Sequence, residues 1–88
     1  MNNPRRKRIA EVISRLQAAE EEIQAIREEI EEIREEEQEY LDNIPENLQS
    51  SEKYEKAENA VACIESAIDN IDCIDFEEIT SSLEEAAE

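Results

Sequence analysis

Residues 9–44 read IAEVISRLQAAEEEIQAIREEIEEIREEEQEYLDNI, and this stretch decides the fold. Ile9, Val12, Leu16, Ala19, Ile23, Ile26, Ile30, Ile33, Glu37, Tyr40 and Ile44 follow one another in alternating steps of three and four. That is the a/d pattern of a coiled coil, and only Glu37 departs from the apolar rule. Between these positions the chain is mostly charged, and neither Gly nor Pro occurs from Arg5 to Ile44. The pattern predicts one long helix with a narrow apolar seam that has to be covered by a partner.

The helix has readable ends. Asn3 is placed to cap it, and Pro4 suits the first turn, where a missing N–H costs nothing. Pro45 disfavours the helical region for Ile44 and stops the ladder near Asp42. After the connector Pro45–Gln49, Ser50 or Ser51 caps a second helix with Glu52 on the favourable side of its dipole. Tyr54, Ala57, Val61, Ile64, Ile68 and Ile71 then repeat the three-four alternation. Beyond Ile71 the stripe slips by one residue and resumes as Ile79, Leu83 and Ala86. Asp75 to Glu78 has the form of a capping box that opens a third helix. Because Ile79, Leu83 and Ala86 keep to one face, the reading adopted is one continuous helix, irregular or kinked at 72–76.

The two stripes match in number. In an antiparallel pair, facing residues have a constant sum. Tyr40/Tyr54, Ile33/Val61, Ile30/Ile64, Ile26/Ile68 and Ile23/Ile71 all sum to 94, and Leu16/Ile79, Val12/Leu83 and Ile9/Ala86 to 95. Glu37 then faces Ala57, and Ala19 faces Asp75, the two acids acting as register or kink devices. The expected fold is all-α: an antiparallel two-helix coiled-coil hairpin of about 4–43 and 50–87, roughly 60 Å long, forming a single domain over residues 1–88. A second stripe on the latter helix, Ala60, Cys63, Ala67 and Ile74 with Phe76 at its edge, predicts an oligomer face that pairs two hairpins into a four-helix bundle.

Charge narrows the function. The net charge of the chain is −17, and 26 of its 88 residues are acidic. Residues 1–16 form a basic head (Arg5, Arg6, Lys7, Arg8 and Arg15 against Glu11), whereas residues 17–88 hold four basic groups against 25 acids. Direct nucleic-acid binding through the head is opposed by this body, as is binding to an anionic membrane. The hairpin instead lays Arg5, Arg6, Lys7 and Arg8 beside the acidic residues 69–88. The outward face Glu20, Glu21, Glu28, Glu31, Glu32, Glu35 and Glu39 is crowded with like-charge i,i+4 neighbours. Its functional reading is a row of carboxylates that imitates nucleic-acid phosphates and docks on a protein partner with a basic surface.

Catalysis has no footing here. There is no His for a di-metal carboxylate site, no Gly-rich phosphate loop, and no pocket expected between two helices to perturb a carboxylate. The expectation is a non-enzymatic protein without metal or cofactor. Cys63 and Cys73 lie about 15 Å apart along one helix and cannot bridge each other. No apolar run approaches the roughly 20 residues needed to span a bilayer, so the expected location is cytoplasmic.

The segment Ile44-Pro-Glu-Asn-Leu-Gln-Ser-Ser-Glu-Lys-Tyr-Glu-Lys-Ala-Glu-Asn-Ala60 resembles the turn and second helix of small acidic helical-hairpin proteins of Gram-positive phages and prophages. The likeness covers residues 40–71 and leaves out the basic head and Asp72–Phe76. It implies a phage or prophage setting in a bacterial host, where small acidic proteins inhibit host machinery or host defence. It carries over no functional residues. The alternative is a structural coiled coil, a scaffold or assembly adaptor whose oligomer is the function.

Overall fold

The computed structural model describes all 88 residues, and every regular element in it is helical. Helix α1 spans Asn3–Asp42, a 3-10 turn covers Glu46–Leu48, α2 spans Glu52–Asp72 and α3 spans Phe76–Ala86. The fold is a helical hairpin whose second arm is interrupted. Its residues cluster into two compact units: a turn unit, Ile26–Cys73, and a terminal unit, Met1–Ala25 with Ile74–Glu88.

Local chemistry sets the helix ends. Asn2, one residue before the expected cap, accepts the Arg5 backbone N–H on its Oδ1 at 3.0 Å. Moving the cap from Asn3 to Asn2 puts Pro4 in the first turn, where it displaces no hydrogen bond. Pro45, at φ −58° and ψ 148°, ends α1 as its missing N–H requires. Ser51 caps α2, accepting the Tyr54 N–H at 3.3 Å. The second helix, expected over 50–87 with a kink at 72–76, is bent there: it ends at Asp72 and resumes at Phe76. The Cys73 N–H closes the last turn of α2 on Asp69 and Asn70, and Asp75 turns outward to accept the Glu78 N–H at 2.9 Å. A short acidic side chain satisfies a free helix N-terminus better than it fits a helix interior, so the Asp75 cap prevails over the continuing apolar period. Asp75 is therefore an exposed cap and not an inward residue facing Ala19.

In the turn unit the core is made by Leu41, Ala57 and Val61, with Ile44 and Tyr54 packed against them. Ile68 is buried as well, and Ile30, Ile64 and Ile71 are half-buried. The α2 stripe is thus the expected one. The α1 face is not. Leu41 is 9% exposed, whereas Ile26, Ile33 and Tyr40 are 37, 48 and 49% exposed. Helix α1 has a spine at every seventh residue (Ile23, Ile30, Glu37, Ile44), and either neighbouring flank can complete the seam. The flank turned inward is that of Arg27, Arg34 and Leu41.

That flank has charged partners across the seam. Arg27 reaches Asp72 through two hydrogen bonds, of 2.7 and 3.0 Å, and Arg34 reaches Glu65 at 2.6 Å. Both arginines are half-buried, and their guanidinium groups are engaged by carboxylates of α2. Leu41/Ala57 sums to 98, and the two arginine pairs sum to 99. Glu37 stays half-buried on the spine.

In the terminal unit Ile9, Ile13, Leu16 and Ile23 of α1 are half-buried, as are Phe76, Thr80, Leu83 and Ala87. Val12 and Ile79, expected in the seam, are 41 and 42% exposed, and Ala19 and Ala86 are exposed too. The same change of flank has occurred. Leu83 still shares a shallow cleft with Ile9 and Val12, close to the expected pairing.

Candidate functional site

The acidic face lies on α1, where glutamates favour helix and are held at fixed spacing. Glu20, Glu21, Glu28, Glu32, Glu35 and Glu39 are exposed, and none of them has an Arg or Lys partner. Glu31 differs. It is half-buried and held by Arg27 Nη1 at 2.6 Å. Glu31 therefore belongs to the hairpin's internal charge network.

That network is the main electrostatic feature of the turn unit. The Arg27 fork donates to both oxygens of Asp72 and, through Nη1, to Glu31. The hydrogen bond from Arg27 holds the Asp72 carboxyl below its ordinary value, and the same bond raises the guanidinium further above its own. Nearby, Arg34 sits among Glu31, Glu35, Glu65 and Asp69 in an open cleft of about 420 Å³ floored by Ile68. Four carboxylates around one guanidinium can take a cation only weakly, because they stand at the rim of an open groove and not in a closed shell. No group of three or more Cys, Asp or Glu residues is arranged to hold a metal ion.

The expected oligomer face is divided by the helix break. Ala60, half-buried, and Cys63 and Ala67, exposed, lie on α2. Ile74, 43% exposed, falls in the linker, and Phe76 opens α3 half-buried. Both cysteines are free thiols. A continuous helical stripe from Ala60 to Ile74 is therefore absent, although the α2 part remains open.

In the basic head, Arg6 meets the end of α3. Its Nε donates to the Ala87 carbonyl at 2.9 Å and its Nη2 to the Glu88 carbonyl at 3.3 Å. A cation at the carbonyl end of a helix is favourable, which gives the head a structural role. Arg5, Lys7 and Arg8 are exposed and make no ion pair.

The feature missed from sequence is the apolar flank left outside. In the turn unit it comprises Ile26, Ile33 and Tyr40, which the periodicity assigns to the intramolecular seam. The signal that distinguishes the flanks is polar. Arg27 and Arg34 are seven residues apart, as are Glu65 and Asp72, so an antiparallel register of 99 satisfies both pairs at once.

No helix is long and apolar enough to cross a membrane. Comparison with protein families, with curated proteins and with solved structures found no match to this chain.

Proposed function

We propose that this chain is a non-enzymatic acidic interaction module, a phage or prophage inhibitor that docks on a basic surface of a host nucleic-acid or defence protein in the bacterial cytoplasm. One observation carries the reading: Glu28, Glu32, Glu35 and Glu39 stand exposed on α1 with no cation within ion-pair distance. Carboxylates left in this state repel one another and cost the helix stability, so a surface that gathers them is explained by what they attract. Spaced along a helix, they offer a basic groove a substitute for a phosphate backbone. The phage or prophage setting rests on the resemblance of residues 40–71.

The test separates binding from folding. Changing Glu28, Glu32, Glu35 and Glu39 to Gln preserves helix propensity and relieves repulsion, while leaving Arg27, Glu31 and Arg34 untouched. The variant should melt at or above the parent temperature. It should also fail to retain the host protein that the parent captures, and that capture should weaken steeply as salt rises. Retention by the Gln variant at undiminished affinity removes the acidic face from the mechanism.

The scaffold reading has its own support, the exposed Cys63 and Ala67 on α2, whose small side chains permit close approach of a second helix. It requires a homodimer or larger oligomer in light scattering that an Ala67→Glu substitution dissociates.

A further inference from the structure

Within the turn unit, Ile26, Ile33 and Tyr40 are one heptad apart on α1 and 37 to 49% exposed. They form a line about 21 Å long. It continues at the Tyr40 end into a shallow cleft of about 300 Å³ lined by Tyr40, Ile44, Pro45 and Leu48, with Lys53 as its single cation. Leu48 there is 49% exposed.

The helix sets two different walls beside this ridge. On the seam side stand Ile30 and Glu37 of the spine, both half-buried, with the engaged Arg27 and Arg34 beyond them on the opposite flank. On the solvent side stand Glu29 and Glu36, then Glu32 and Glu39, all exposed and without a cationic partner. The surface is thus an apolar ridge with one anionic wall.

Period and charge together select an occupant. A ridge that repeats every seven residues matches the knobs of another α-helix, whereas extended chain, with its period of two, does not. A second copy of this chain fits poorly. In a parallel pair Glu29 and Glu36 would meet their own counterparts across the seam, and in an antiparallel pair they would be pressed against Ile26, Ile33 and Tyr40. Either arrangement desolvates unpaired carboxylates.

We propose that Ile26, Ile33 and Tyr40 seat an amphipathic helix of a partner protein, about four turns long, whose apolar residues are flanked by Lys or Arg facing Glu29 and Glu36. This names the kind of basic partner for the acidic face and rests on that reading of the face.

The probe is a labelled 21-residue helical peptide with leucines at heptad spacing and lysines beside them. A second peptide has the same composition with its leucines scattered around the helix. Each is titrated into the full chain by fluorescence anisotropy at low and high salt. The patterned peptide should bind at least ~10-fold more tightly than the scattered one, and Ile33→Gln should remove about that factor with little change in melting temperature. Glu29→Gln with Glu36→Gln should weaken binding several-fold, roughly 3 to 10, and flatten its salt dependence. Equal binding of the two peptides, unaffected by Ile33→Gln but lost at high salt, overturns the ridge and leaves the acidic face standing. Binding lost with Ile33→Gln yet insensitive to salt and to the Gln pair overturns the anionic wall and the choice of a basic partner. No binding of either peptide overturns the proposal. A parent dimer whose mass halves in Ile33→Gln assigns the ridge to a second copy, and overturns it too.

Discussion

The turn unit and the terminal unit draw on the same seven-residue repeat of α1, yet only one of them builds a buried core. All four buried side chains, Leu41, Ala57, Val61 and Ile68, belong to the turn unit. The terminal unit has none below the half-buried level. Sequence accounts for the difference. The turn unit sets Leu41 against small or branched residues and closes one edge with two arginine–carboxylate pairs. The terminal unit has Thr80 on the inner face of α3, and Arg6 supplies its only side-chain hydrogen bonds between the helices. A repeat suffices to place helices side by side. Burial depends on what stands at each position of the repeat, and the terminal unit should open locally at lower free energy.

The largest test of this contrast is truncation at matched positions. Leu41→Ala should cost about 2–4 kcal/mol, as for a buried leucine. Ile13→Ala, at a half-buried site of the terminal unit, should cost about half as much, and Tyr40→Ala less than ~1 kcal/mol. Urea melts measure all three, and equal losses would erase the distinction between the units.

Much of the architecture is legible without coordinates. Pro45, the Ser50-Ser51 pair and the α2 stripe fix the turn and the hairpin, because each acts locally, and only the choice of Ser51 over Ser50 as the cap stays open. The choice of flank on α1 is not legible from hydrophobicity, since Ile26, Ile33 and Tyr40 look more apolar than Arg27, Arg34 and Leu41. The charge pairing that accompanies the chosen flank involves residues 31 to 45 positions apart, beyond the reach of a local pattern. The Asp75 capping box is visible in sequence but competes with Ile79, Leu83 and Ala86, which continue an apolar period. The same error of flank hides the ridge from sequence, whereas the glutamates expected on the acidic face are exposed except for Glu31.

Cap removal comes next in size. Ser51→Ala in the turn unit and Asp75→Ala in the terminal unit should each cost about 1 kcal/mol. Hydrogen exchange should locate the Asp75 effect in the first turn of α3, and uniform acceleration of exchange along α2 and α3 would mean that the two are not separately capped.

The ion pairs give the smallest and most condition-dependent effects. Arg34→Gln should cost less than ~1 kcal/mol, since Glu65 is half-exposed. Asp72 provides a pH signature. Its carboxyl titrates below the ordinary 3.8 in the folded chain, so its contribution is fully present above that value. It is lost as pH falls through the lowered value, while Arg27 stays charged throughout. Melting temperatures of the parent and Asp72→Asn should differ at pH 7 and converge toward pH 2. A constant difference would show that the pair is not formed.

Helix α1 turns its Leu41 flank inward and its Tyr40 flank outward. Methyl and aromatic nuclear Overhauser contacts in solution test it directly. Contacts are expected from Leu41 to Ala57 and Val61, and none between the Tyr40 and Tyr54 rings. Strong Tyr40–Tyr54 and Ile33–Val61 contacts, with Leu41 free of both α2 residues, would contradict it.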